Sequence, residues 1–354
     1  LWKNTALIIG TDHGYLLGEH GWWSKTVMPV YDEIAHIPLM IYLPEYSAFG
    51  GTHRKALVQT VDIPVTVLDL YGIPPTEDMA GKSLKGVIER DEKIRDYVMF
   101  GFHGAHINIY DGRYLYMRAP ISQDNQPLFD YTLMPTHMRS RFTTEELSKA
   151  TLESGFAFTK GCPVLKVPCG GKANEDSFAE VLKDPACPKA MSIDNNSLVN
   201  AANFGTKLFD MLNDPDQLYE LDDPVAEAKM ANLLVRAMEE ADSPEEQFER
   251  IGLPKGSEIS PEDILRLRAL EDRQYIPQIL EDHEWQRNGI NACNMLMRFI
   301  ETRQRDKVMA YMEERLSDCE LISDGDILQC IPQIIEPKSV DMVVYFVGLA
   351  GRNK

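Results

Sequence analysis

The chain has 354 residues, of which 44% are hydrophobic, 26% charged and 9% aromatic, the balance of a folded globular protein with room for two or three domains. With 55 Asp and Glu against 36 Lys and Arg, the formal net charge of −19 excludes a duplex-binding protein, which needs a basic face to displace phosphate counterions. It also disfavours adsorption to anionic lipid, although an anionic small substrate stays open, because local cations or a metal reverse the sign inside one cleft. No apolar stretch approaches the length of a membrane span, so neither nucleic acid nor membrane is expected as a partner.

The chain opens at Leu1 without an initiator Met or signal peptide, and is therefore expected to be part of a longer product, which would set its compartment, cytoplasmic or periplasmic/secreted. Thr5–Gly10 is a short, continuously apolar run that predicts a central strand of a parallel sheet. A Gly- and aromatic-rich loop follows, then a predicted helix over Val27–Ala35, a strand over Ile37–Leu43 stopped by Pro44, and a helix over Val61–Tyr71 closed by Gly72-Ile-Pro-Pro75. Strand, helix, strand, helix is the doubly wound α/β pattern.

From about Asp96 the spacing shortens. Tyr97–Phe102, Ile107–Tyr110 and Tyr114–Arg118 predict closely spaced strands with an Asp111-Gly112 hairpin turn, hence an antiparallel sheet in a smaller second domain. Gly161–Asp194, rich in Pro, Gly and Cys, reads as a long loop, Lys207–Leu212 as a strand and Pro224–Ala241 as an amphipathic helix. Beyond Pro254 two charged helices, Pro261–Gln286 and Ile290–Ser317, and a last strand, Val340–Val347, are expected. The six cysteines contain no Cys-x-x-Cys pair, so no zinc site of that type is expected; reduced thiols are expected, with Cys162, Cys169 and Cys187 able to pair in an oxidising compartment.

The residues richest in chemistry directly follow the first strand: Thr11-Asp12-His13-Gly14. Ligands of open α/β sheets bind beyond the carboxyl ends of strands, and adjacent carboxylate and imidazole donors make half of a divalent metal site. Alone, the triplet reads equally well as a helix N-cap beside a packed histidine.

The continuation Asp12-His-Gly-Tyr-Leu-Leu-Gly-Glu-His-Gly-Trp-Trp-Ser-Lys25 resembles a signature of sulfatases and of the related phosphonate monoester hydrolases, in the alkaline phosphatase superfamily. Tyr31-Asp-Glu-Ile-Ala-His-Ile-Pro-Leu39 resembles the family's Tyr-Glu-Glu-x-x-Arg-Ile-Pro-Leu segment, with His36 in place of Arg. Asp62–Gly72, Gly81-Lys-Ser-Leu84 and Lys207–Leu221 resemble later blocks, in the family's order, over roughly residues 1–253.

That resemblance implies an alkaline phosphatase-like, mostly parallel α/β sheet (its C-terminal part, residues 1–93). A smaller α+β domain with an antiparallel sheet (94–253) would follow, and then a mostly helical extension of unassigned role (254–354). It implies that Asp12 and His13 bind a divalent metal, Ca2+ by family with Mn2+ as the alternative that the imidazole donor favours. Lys25 would place its ammonium on the sulfate's non-bridging oxygens, and His20 would line the same pocket or act structurally. His103 and His106 are weaker candidates for reading the substrate's organic part, Trp22 and Trp23 for walling the pocket, and Asp130, His137 and Arg139 have no assigned role.

The family's formylglycine, made from Cys or Ser in Cys/Ser-x-Pro/Ala-x-Arg, has no counterpart among these residues. The resemblance puts it and the first Asp pair in an N-terminal half, so the expected partners are that half and a small-molecule or carbohydrate sulfate ester. The chain alone is expected to be inactive. The alternatives are a phosphonate monoester or phosphodiester hydrolase, and a non-catalytic binding or homo-oligomerisation module working through the helices after Pro261.

Overall fold

A computed structural model describes residues 2–281, apart from 22, 26–28, 123, 135, 138–140 and 170–200. The expected helix Ile290–Ser317, the strand Val340–Val347, Trp22, Arg139 and most of the loop Gly161–Asp194 lie outside the described residues. The chain divides into two compact units, the first made of Leu1–Ala119, Pro127–Gly170 and Thr206–Ile264. Everything described below belongs to this first unit, save most of the last helix, from Leu265 on.

Strand β1 (Leu7–Gly10) leads into a hairpin of β2 (Leu16–Leu17) and β3 (Trp23–Ser24), then helix α1 (Asp32–Ala35) and strand β4 (Leu39–Tyr42). β4 returns antiparallel to β1, with Leu7 opposite Tyr42 and Gly10 opposite Leu39. The mostly parallel sheet expected from the sequence is therefore not seen among the described residues. Residues 11–38 outnumber the dozen that a parallel crossover needs, but the α-helix described among them, α1, is four residues long and too short to cross a sheet.

Helix α2 (Asp62–Leu70) forms where predicted and ends at Tyr71, followed by Gly72 at φ 68°. Its positions 62, 66 and 69 share one face and clamp the segment that follows. Fully buried Asp62 accepts from the amides of Gln59 (2.7 Å) and Lys82 (2.8 Å) and pairs with Arg95. The Thr66 hydroxyl accepts from the Leu84 amide (3.0 Å), and Asp69 takes the Ser83 hydroxyl and the Lys85 ammonium (3.2 Å). A Cβ on Gly81 would stand 1.9 Å from the Val61 carbonyl oxygen, which leaves room for glycine alone. Helix α3 (Lys85–Arg90) follows.

The antiparallel sheet expected after Asp96 is present. β5 (Val98–Gly101), β6 (Ile107–Tyr110), β7 (Tyr114–Arg118) and β11 (Lys207–Asp210) align in the order β11-β7-β6-β5. Asp111-Gly112 turns β6 into β7: the Asp111 carboxylate accepts from the amides of Arg113 (3.0 Å) and Tyr114 (2.8 Å), with Gly112 at φ 93°. A second sheet, unforeseen in the sequence, has the order β8-β10-β9, from β8 (Phe129–Thr132), β9 (Thr151–Glu153) and β10 (Val164–Pro168). Helix α4 (Thr144–Lys149) precedes β9, capped by a reciprocal Thr143–Glu146 box.

Helix α5 (Pro224–Glu240) lies on β6 and β7. Asp223 caps it by accepting from the amides of Val225 and Ala226, and Met230, Leu233, Leu234, Ala237 and Met238 form its buried stripe. Helix α6 (Glu245–Ile251) ends at Gly252, φ 65°, and helix α7 (Pro261–Glu281) closes the described chain. Beneath α6, buried Arg118 donates Nε to the Ile251 carbonyl (2.7 Å) and Nη1 to the Thr206 hydroxyl (2.9 Å). Buried Arg250 donates to the Ala105 carbonyl, and loss of water around it lowers its pKa to about 10.

Candidate active-site loop

The loop between β1 and the β2–β3 hairpin is bolted to the four-stranded sheet. Leu16, Val30, Tyr31 and Ile34 form one buried cluster with Leu115 and Met117 of β7 and Phe209 of β11. Burying side chains of this size stabilises by roughly 1.5–3 kcal/mol each, so the loop rests on a firm floor. The Gln217 side-chain oxygen accepts from the Asp32 amide (2.6 Å), so the late segment Lys207–Leu221 steadies the start of α1.

Gly14 joins the loop to α1, its amide donating to the Ile34 carbonyl at 2.9 Å. A Cβ there would fall 1.7 Å from the Glu33 carbonyl oxygen, so the backbones meet at a distance that any side chain forbids. This contact sets the direction of the two residues before it.

The His13 Nδ1–H donates to the Gly14 carbonyl (2.9 Å), which fixes the tautomer and leaves the Nε2 lone pair available. The Asp12 carboxylate reaches the His13 amide (3.1 Å) and stands 3.4 Å from Nε2. A hydrogen bond from its own amide, with the nearby imidazole, holds the Asp12 carboxyl below its ordinary pKa, keeping it an anion. The β2–β3 hairpin pairs Leu16 with Ser24 and returns the chain, so that the Lys25 ammonium donates to His13 Nε2. Asp12, His13 and Lys25 are thus brought together on a half-exposed loop.

His20 is placed differently. At φ 54° it tucks under the hairpin, its ring stacked on Tyr31 (centroids 3.7 Å apart, planes 7° apart) and its Nε2 3.4 Å from the Glu33 carboxylate. Its described contacts tie the hairpin to α1, a positioning arrangement. His36 is exposed and bonds Asp32 (3.1 Å), which raises its pKa. His106 is buried, whereas His103 lies at the surface beside Asp130, and His137 pairs with Glu146 (2.7 Å). Tyr31, Glu33 and Gln217 were missed as site residues because their part is contact, which only the fold reveals.

Asp12 and His13 suit a divalent ion in donor type, one ionised carboxylate and one imidazole, but the Nε2 lone pair accepts from the Lys25 ammonium and an ion would have to displace that bond. Two donors fall short of the four or more that a bound ion takes, and among the described residues no third His, Cys or carboxylate joins them.

One loop of a mixed α/β chain thus presents a carboxylate, an imidazole and a lysine side by side. Residues 18–154 match the family described as N-sulphoglucosamine sulphohydrolase, C-terminal. An N-acetylglucosamine-6-O-sulfatase of Bacteroides thetaiotaomicron is 39% identical over 90 residues, 25% of this chain and 16% of that protein. Human arylsulfatase K is 32% identical over 116 residues (30% of this chain, 21% of that protein), and an arylsulfatase of Clostridium perfringens is 34% identical over 107 (29% and 21%). The likeness is thus to sulfatases, through a C-terminal region. The matches span about a fifth of those relatives' own length or less. A solved complex with D-glucosamine-2-N,6-O-disulfate aligns with 68% of this chain and 34% of that one at 19% identity, but its TM-score of 0.36 is too low to bear on the fold.

Proposed function

We propose that this chain supplies the second half of the metal and sulfate site of an enzyme that hydrolyses a sulfate ester. The observation that carries the reading is the His13 imidazole, tied at Nδ1 and facing the Lys25 ammonium at Nε2, with the Asp12 carboxylate alongside. Asp12 and His13 would hold the divalent ion, Ca2+ or Mn2+, which supplies Lewis-acid polarisation of a sulfate oxygen. The rest belongs to this chain's residues. The Lys25 ammonium binds the non-bridging oxygens, whose charge grows as the ester bond lengthens, so its attraction is stronger in the transition state than in the ground state. The Gly14–Ile34 bond holds the imidazole still, and His20 braces the hairpin that carries Lys25.

The nucleophile, formylglycine in this reading, would come from the N-terminal half of the same protein. In the names of the relatives, N-acetylglucosamine-6-O-sulfatase and N-sulphoglucosamine sulphohydrolase support a sulfated amino sugar as the substrate class.

The test is steady-state kinetics of the full-length protein on matched sulfate and phosphonate esters. Lys25→Ala is expected to lower kcat/KM for the sulfate by roughly 10²- to 10³-fold with the metal still bound. An unchanged kcat/KM refutes the role of Lys25, and a preference for the phosphonate transfers the site to phosphonate hydrolysis.

A further inference from the structure

None of the Asp12–His13–Lys25 group takes part in a second cluster, built by the three-stranded sheet. His103 follows β5, Asp130 lies on β8 and Cys169 directly follows β10, and one ligand-type atom from each lies within 4.8 Å of the others. The register explains the convergence. Asp130 pairs with Val167, and Cys169 lies two residues further along the same face of β10, its amide bonded to the Leu128 carbonyl (2.9 Å). From the turn after β5, the His103 Nε2–H donates to the Phe129 carbonyl (3.0 Å), 3.6 Å from the Asp130 carboxylate.

We infer that His103, Asp130 and Cys169 form a binding site for a soft divalent cation of the zinc type, separate from the sulfate site. The donor set decides the class. Thiolate and imidazole select zinc-like ions over calcium or magnesium, and three protein ligands leave a fourth tetrahedral position for water. Cys169 is buried and His103 exposed, so the site has a closed, sulfur-lined floor and an open, imidazole-lined mouth.

The fit needs little movement. Bonds of about 2.0–2.3 Å put tetrahedral donors about 3.5 Å apart, so each atom moves inward by about half an ångström. The Cys169 thiol donates to the Asp130 carboxylate, and burial followed by the Asp130 charge pushes its pKa to about 12. The ion takes the place of that proton: the S–H bond breaks, a sulfur–metal bond forms and one proton leaves to solvent, while the His103 ring hydrogen shifts from Nε2 to Nδ1, giving up the Phe129 carbonyl so that the Nε2 lone pair can coordinate. The Glu146 carboxylate, close enough to act on the same thiol, adds negative charge that favours the cation.

The site is tested by titrating the full chain, under reducing conditions, with Co2+ as a zinc surrogate. A thiolate-to-cobalt charge-transfer band saturating at one equivalent is expected, absent in Cys169→Ser and unchanged in His13→Ala. His103→Ala, which removes an exposed side chain and leaves the core intact, is expected to weaken cobalt binding by roughly tenfold or more. This variant decides the matter even where Cys169→Ser fails to fold. No band at saturating cobalt, a band that survives Cys169→Ser, or an unchanged affinity in His103→Ala overturns the site.

Discussion

Replacing Gly14 by alanine adds one methyl group where the site loop crosses α1. The new carbon would start 1.7 Å from the Glu33 carbonyl oxygen and 2.8 Å from its carbon, against the 3.4 Å at which ordinary contact begins. The obstacle is backbone, so no rotamer change relieves it, and the two chains must part by about 1.7 Å. The Gly14–Ile34 hydrogen bond of 2.9 Å cannot survive that separation. Its loss costs about 1 kcal/mol and the overpacking a further 1–3, so Gly14→Ala is expected to destabilise by about 2–4 kcal/mol.

Gly112 is the control: φ is 93° but nothing lies within 4 Å of a Cβ there, so Gly112→Ala carries only the backbone cost of about 1–2 kcal/mol. Urea unfolding of the full chain compares the two variants. In the full-length enzyme the same shift moves His13 and Asp12 by more than an ångström, enough to lower kcat/KM by about 10²-fold. A Gly14→Ala midpoint no lower than that of Gly112→Ala refutes the close approach and the positioning drawn from it.

Thr206→Val removes the hydroxyl that accepts from Nη1 of Arg118 and from the Ala119 amide, and is expected to cost about 1–3 kcal/mol in urea unfolding. Tyr97, desolvated and bonded to Glu240, has its phenol pushed from 10.0 to about 12. The folded chain therefore keeps a proton that the unfolded chain loses above pH 10, so this group's contribution is whole below pH 10 and is lost as pH rises through 12. Denaturation midpoints measured from pH 9 to 12 should fall less steeply in Tyr97→Phe. Thr143→Ala removes the α4 capping box and should cost about 1 kcal/mol, seen as faster amide exchange in residues 143–149.

Period and punctuation carried the readable part of the fold. β6 and β7 lie where their alternation and the Asp111-Gly112 turn put them, and α2 and α5 follow from apolar spacing with Gly72 and Asp223 at their ends. The pairing direction of β1 and β4 was not legible, because two short apolar runs look alike in either direction and the stretch between them, residues 11–38, is long enough for both. β8 and β9 were missed for a different reason: they are short, partly exposed and stabilised by pairing with β10 more than by pattern. At the candidate site, Asp12, His13 and Lys25 could be singled out because they lie close together in sequence on one loop, where the structure also brings their side chains together. His103, Asp130 and Cys169 were not, since three distant segments meet only through sheet register.

The clamp between α2 and residues 82–85 has a consequence for how this chain can vary. Asp62, Thr66 and Asp69 close the base of the connection that leaves the helix at Tyr71, so residues 71–80 hang from two points already joined. Tyr71 is 78% exposed and Ile73 51%, so the connection's outer wall faces water. Each doubling of such a loop's length adds only about 0.6 kcal/mol of closure entropy. Apart from the Asp78–Lys160 pair, sequence drift can therefore lengthen, shorten or decorate this stretch at little cost, while α2 and α3 on either side stay in place.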